Sequence, residues 1–174
     1  KEPLSALAGE IGGSAVACDA TREDDIAQLF TAASAATGKV DIAVFSAGIH
    51  AATAIADITA DDIRPTLEIS FIGALLFFKH AAAAMKEGGS VITVSSLTAR
   101  LTGAGLSAYA VAPAGIDYAM KEAALEYASQ GVRLNSIAGA LRQPESAEGC
   151  FYEAPTTDRH PDATQSERRG RSGG

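Results

Sequence analysis

The sequence predicts an α/β domain built on a doubly wound parallel sheet, and two observations carry that prediction. Four short, nearly all-apolar runs, at residues 14–19, 40–46, 90–95 and 132–137, have the composition of strands covered on both faces. Longer helical patterns with recognisable ends lie between them, and such alternation implies parallel strands joined by crossover helices.

The elements follow in chain order. After the 14–19 run, Thr21 is placed to cap a helix reaching about Thr37, with Glu23, Asp24 and Asp25 in its first turn and Gly38 closing it. After the 40–46 run, Thr59 ahead of Ala60, Asp61 and Asp62 opens a small helix that Pro65 can restart, and Gly88 and Gly89 end the long helix that follows. The stretch 69–85 is the most apolar of the chain, but Lys79 and His80 interrupt it, so it reads as a buried helix and not as a membrane span. Its alanines at 81–84 make a face for close packing. A further helix runs from about Pro113 to Gln130 and stops at Gly131, ahead of the 132–137 strand.

A chain of 174 residues supports one sizeable core, and 47% hydrophobic residues with 17 glycines suit an α/β domain of small, closely packed side chains. The net charge of −7 argues against nucleic acid or an anionic membrane as partner, because phosphate binding needs a basic stripe. The three arginines Arg168, Arg169 and Arg171 do not outweigh that balance. Cys18 and Cys150 are far apart and lack metal spacing, which reads as free thiols in a reducing cytoplasm. His50 and His80 have no cysteine or carboxylate at ligand spacing, so plain surface or helix-face roles are expected and no metal site. The chain opens with Lys1, Glu2, Pro3 and Leu4 instead of Met or a signal sequence, the expectation for a piece of a longer product. Beyond Leu141 the character changes. The predicted division is a folded domain over 1–142 and a polar, disordered tail over 143–174, with Phe151 and Tyr152 as its one docking point.

Chemistry concentrates around Tyr109. Ser96 ends the third apolar run thirteen residues before it, a loop with Gly103 and Gly105 intervenes, and Pro113 stands one helical turn beyond it. Other local patterns accompany this pair: Cys18, Asp19, Ala20, Thr21 at the end of the first run; Phe45, Ser46, Ala47, Gly48 at the end of the second; Ile69 to Gly73 in the long helix; and Val132 to Ser136. Together, and in this order over roughly residues 4–140, they resemble the short-chain dehydrogenase/reductase family.

The resemblance implies a Rossmann-like fold, here without the family's first two strands and glycine-rich loop, and hydride transfer between a nicotinamide (NAD or NADP) and a small carbonyl or alcohol. It implies Tyr109 as general acid/base and Ser96 as the hydrogen-bond donor to the substrate oxygen, with Asp19, Ala20, Ser46, Ala47 and Gly48 at the cofactor. It implies dimer contacts through helices 65–87 and 113–130.

The departures are specific. The family's catalytic asparagine position is Ser70, and its lysine position is Pro113. An ordinary phenol, near pKa ~10, needs a cation beside it to work at neutral pH, and proline supplies none. If the helix starts near Ser107, Pro113 also removes the amide that would bond the Tyr109 carbonyl, at ~3 kcal/mol; if it starts near Pro113, Tyr109 is left in a looser turn. The family's Pro-Gly after its sixth strand is Gly139 and Ala140 here. The expectation is an oxidoreductase by descent with impaired or lost activity and weak or lost cofactor binding; the alternatives are a non-catalytic oligomerisation module or a fragment without selected function. The family's strand order would also leave a slot about two strands wide, at ~4.8 Å each, beside the 40–46 strand. The 14–19 strand is therefore expected to slide in there, giving about four parallel strands, unless a partner chain fills the slot.

Overall fold

A computed structural model describes residues 2–50 and 52–139. The element order is α1 (Glu2–Ile11), α2 (Glu23–Thr37), β1 (Ile42–Phe45), α3 (Ala60–Leu67), a π-helical turn (Glu68–Ile72), α4 (Gly73–Ala84), β2 (Gly89–Ser96), a 3-10 turn (Leu97–Ala99), α5 (Ser107–Tyr127), a second 3-10 turn (Ala128–Gln130) and β3 (Val132–Gly139). The tail predicted over 143–174, with Phe151 and Tyr152, lies outside the described residues, as does Cys150.

The three strands form a parallel sheet in the order β1-β2-β3, with Val44 opposite Ile92 and Ile92 opposite Asn135. Strand residues alternate between two faces. Ala43, Phe45, Val91, Val132 and Leu134 are buried on one of them, together with Ile26 and Phe30 of α2, Phe77, Phe78 and Ala81 of α4, and Ile116 and Met120 of α5. The Phe77 ring lies 4.9 Å from Phe30 and 5.3 Å from Phe45, joining α2, α4 and β1. The other face is largely bare: Ile42 is 66% exposed, Val44 53%, Val94 47% and Ile137 57%. Helices therefore cover one side only among the described residues, whereas the all-apolar runs predicted cover on both.

Most helix ends behave as their sequences dictate. Thr59 and Asp62 form a reciprocal capping box, the Thr59 hydroxyl accepting the Asp62 N–H and the Asp62 carboxylate accepting the Thr59 N–H at 2.8 Å. Gly38 closes α2 with φ of 80°, a conformation that glycine adopts without strain. The start of α2 is a correction: Arg22, not Thr21, occupies the cap position, because Thr21 is engaged in a turn with Asp19. Helices α3 and α4 join through the π turn, and Pro65 lies inside α3. Ala60–Ala84 is long and apolar enough by length and composition to cross a membrane. In this fold Thr66, Ser70, Ala74, Phe77, Phe78 and Ala81 along it are buried.

The four-strand expectation fails. Residues 14–19 form no strand, and β1 pairs only with β2. A strand needs a neighbour for its ladder, and this segment is tied down where it stands. The Asp19 N–H donates to the Asp25 carboxylate at 3.0 Å, and the Ala20 carbonyl lies against Gly73 of α4. Sliding beside β1 would break both contacts. Among the described residues no strand enters the slot, and β1 is an edge strand.

Candidate active site

The predicted site residues gather at the C-terminal edge of the sheet, where open parallel sheets bind ligands. Ser46, Ala47 and Gly48 leave the end of β1, exposed, and Ser96 ends the adjacent β2. The turn after β1 is held from the helix layer. The buried Ser70 hydroxyl accepts the Ile49 N–H at 3.3 Å, and a side chain on Gly48 would bring its Cβ to 3.4 Å from the same oxygen. Ser70 sits in the π turn Glu68–Ile72, a widened helical turn of the kind common at functional sites.

The helix α5, which carries Tyr109 in its first turn, packs on the 3-10 turn that follows Ser96. The Ser96 hydroxyl oxygen accepts the Thr98 N–H at 3.2 Å and the Thr98 hydroxyl at 3.0 Å, leaving its own O–H to donate. Its neighbour Ser95 is buried on the helix-covered side. Tyr109 is half-buried in the first turn of α5, which begins at Ser107. The first of the two sequence alternatives therefore holds: Pro113 is inside a continuous helix, buried, with no N–H for the Tyr109 carbonyl and no ammonium for its phenol.

Asp19 and Ala20 are placed by local bonding. Asp19 Oδ1 accepts the backbone N–H of Thr21 at 2.9 Å and the Thr21 hydroxyl at 2.8 Å. These bonds, the backbone one foremost, hold its carboxyl below the usual range. Ala20 docks on α4, where a Cβ at Gly73 would come within 2.6 Å of the Ala20 carbonyl oxygen. Gly73 thus ties the Asp19–Ala20 turn to the helix segment that carries Ser70.

Sequence reasoning passed over His50. Its ring lies 4.9 Å from the Tyr109 ring, centroid to centroid, tilted by 52°. Two backbone bonds set this approach: Ile49 N–H to Ser70, and Thr53 N–H to the Gly105 carbonyl at 2.9 Å. The second latches the loop after β1 to the loop before α5, at a glycine with φ of 75°. The one signal in the sequence is that His50 falls two residues beyond Gly48. His80 behaves as a helix-face residue, its Nε2 3.1 Å from Glu23 Oε1. The Glu23 carboxyl is held low by the Lys79 ammonium and then by His80. No group of three metal-ligating side chains occurs among the described residues.

The residues present fit a nicotinamide dinucleotide only in part. The turn at Ser46, Ala47 and Gly48 is open and exposed. One oxygen of the Asp19 carboxylate, Oδ1, is engaged in its own turn, and Pro113 offers no donor. A cavity of about 520 Å³, lined by Phe30, Lys39, Val40, His80 and Lys86, lies at the opposite end of β1 and is no part of this constellation.

An open parallel sheet covered by helices on one face among the described residues, with a serine at one strand end and a tyrosine in the first turn of the next helix, is a Rossmann-type α/β scaffold. Comparisons with known proteins agree. The sequence profile of the family described as enoyl-(acyl carrier protein) reductase matches residues 1–168. The chain is 35% identical over 126 residues to cis-4-hydroxycyclohexanecarboxylate dehydrogenase of Sinomonas cyclohexanicum, covering 71% of this chain and 51% of that one. It is 29% identical over 140 residues to carbonyl reductase family member 4 of Xenopus tropicalis, covering 79% and 59%. A short-chain dehydrogenase of Mycobacterium smegmatis superposes with a TM-score of 0.75 at 24% identity, covering 82% of this chain and 61% of that structure. An enoyl-(acyl-carrier-protein) reductase of Anaplasma phagocytophilum, solved in complex with NAD, superposes with a TM-score of 0.76 at 22% identity, covering 84% and 58%. The chain belongs to the short-chain dehydrogenase/reductase family, a family of oxidoreductases. It spans about half the length of these curated relatives.

Proposed function

We propose that this chain is an NAD(P)-dependent oxidoreductase by descent whose hydride-transfer chemistry is impaired, acting, where it acts, on a small carbonyl or alcohol. The bound nicotinamide would supply or accept the hydride. The chain's own part is to move a proton at the Tyr109 hydroxyl and to donate a hydrogen bond from the Ser96 hydroxyl to the substrate oxygen. Asp19, Ala20, Ser46, Ala47 and Gly48 would face the cofactor, bound weakly. The observation that carries this reading is Ser96 at the end of β2 and Tyr109 in the first turn of α5, with buried Pro113 one turn beyond the phenol. Loss of an acid–base arrangement costs typically about 10²–10⁴ in rate. Cytoplasmic residence belongs to the same reading and accords with the free thiol of Cys18.

Calorimetric titration with NADH and NADPH tests it. Weak saturable binding, tightened in Pro113→Lys, is expected. A folded chain that takes up neither cofactor at millimolar concentration would end the oxidoreductase reading.

A second reading has its own observation. The groove between α4 and α5 has an apolar floor of Leu75, Phe78, Tyr118 and Tyr127 with Lys79, Glu122 and Glu126 also lining it, and Tyr118 and Leu125 on α5 are 64% and 76% exposed. Such a surface fits self-association through these two helices, with or without catalysis.

A further inference from the structure

We propose that His50 is a positioning residue for the Tyr109 phenol, supplying beside it the positive charge that the helix position at Pro113 cannot. This deepens the oxidoreductase reading and rests on Tyr109 being its acid/base group.

A phenol exchanges its proton usefully near neutral pH only where the phenolate is stabilised, and a cation a few ångströms away does this. The helix turn beyond Tyr109 offers no such group, because Pro113 is buried and uncharged. The imidazole of His50 does stand there, 4.9 Å from the phenol ring and tilted by 52°, within the range at which a cation interacts with an aromatic face. The approach is built by the backbone and is not a chance meeting of surface side chains. The Ile49 N–H bonds the buried Ser70 hydroxyl on one side of His50, and the Thr53 N–H bonds the Gly105 carbonyl on the other, four residues before Tyr109. The π turn that carries Ser70 and the left-handed Gly105 thus fix both ends of the short loop that presents His50.

The surroundings leave the imidazole available for this role. Among the described residues neither ring has a hydrogen-bonding or ion-pairing partner of its own, and the phenol is the titratable group against His50 from α5. The nearby turn after Ser96 carries Arg100, which is 3.9 Å from Asp117 and so directed along α5 instead. His50 is exposed, so its ring is open to water. One positive charge about 5 Å from a phenolate oxygen in a solvent-like dielectric favours the phenolate roughly fourfold.

The test reads the nucleophilicity of Tyr109 directly and needs no cofactor. N-acetylimidazole transfers its acetyl group to the phenolate oxygen and releases imidazole, and peptide mass spectrometry follows each tyrosine separately. At pH 6, acetylation of Tyr109 relative to exposed Tyr118 should fall up to about fourfold in His50→Phe, which keeps a ring but no charge, and recover in His50→Lys. Equal rates in wild type and His50→Phe would overturn the proposal. A rate in His50→Lys no higher than in His50→Phe would also overturn it, by making the contact merely steric. A His50 effect in a chain that binds neither NADH nor NADPH refutes the oxidoreductase reading while leaving the His50–Tyr109 pair in place.

Discussion

Gly73→Ala should destabilise the protein, against the usual effect of that substitution in a helix. Replacing glycine by alanine at an exposed helix position gains about 1 kcal/mol from backbone entropy. At Gly73, however, the new Cβ would stand 2.6 Å from the Ala20 carbonyl oxygen and 3.4 Å from the Ala20 Cβ. The first distance lies far inside carbon–oxygen contact, and the obstacle is backbone, which cannot rotate away. Either α4 or the Asp19–Thr21 turn must move. Shifting the turn strains the bond from the Asp19 N–H to Asp25 at 3.0 Å, and shifting α4 disturbs Ala74, which is fully buried. Overpacking of this kind costs about 1–3 kcal/mol. The net expectation is a loss of about 1 kcal/mol, or ~2–4 °C in Tm for a chain of this size. Urea denaturation followed by circular dichroism measures it, with Gly9→Ala in α1 as the control, because a Cβ there meets nothing within 4 Å. A Gly73→Ala protein as stable as wild type would refute the claim that this glycine is needed to dock the Asp19–Ala20 turn.

Pro113→Ala should stabilise modestly. Restoring the amide to the Tyr109 carbonyl and removing the ring clash recovers ~3 kcal/mol, offset by about 1.6 for two buried methylenes and about 0.4–1 for the freer unfolded chain. The net gain of about 0.5–1 kcal/mol is readable in the same denaturation assay. Thr59→Ala removes the capping box and should cost about 1 kcal/mol, while Thr59→Ser should cost much less. Acid should destabilise the fold: Asp19, Asp62 and Glu23 all have folded-state pKa values below their ordinary 3.8, 3.8 and 4.5. Depressed carboxyl values contribute stability at higher pH that is lost as pH falls through the folded values, so Tm should hold above about pH 5 and decline below it. A Tm that does not change down to pH 3 would contradict the capping and ion-pair assignments. Tyr118→Asp places a charge in the α4–α5 groove and should shift sedimentation toward monomer if those helices associate; an unchanged distribution argues against that surface.

How much of this was legible in the sequence depended on the range of the forces involved. The cap at Thr59, the stop at Gly38 and the strands at β2 and β3 are local, written in neighbouring residues, and they formed close to where they were expected. The positions of Ser96 at a strand end and of Tyr109 near a helix start were also local features of the sequence. The strand at 14–19 did not form, because strand formation depends on a partner and composition alone cannot provide one. The role of Thr21 was misplaced by one residue, since Asp19 competes for it through a side-chain turn. His50 was missed for a different reason. Its contact with Tyr109 spans 59 positions of chain and is set by two backbone bonds whose acceptors, Ser70 and Gly105, come from separate elements.

The bare sheet face and the open slot beside β1 give these observations a common physical cause. A parallel sheet is stable when helices cover both faces and neighbours pair its edges. Here Ile42 and Val44 on β1, Val94 on β2 and Ile137 on β3 share the uncovered face, and β1 has one unpaired edge. The helix-covered side is different: its core joins α2, α4, α5 and all three strands, and the site loop after β1 is secured from that side through Ser70. Tyr109 on α5 and the loop after β1 therefore rest on the well-packed half of the fold, while Ser96 alternates onto the strand face of Val94. What this half does not provide is a built surface for the dinucleotide, since Asp19 turns back on Thr21 and Pro113 ends the line of donors beyond Tyr109. The Ser96–Tyr109 geometry can persist without a tightly held cofactor because the two are supported by different parts of the molecule.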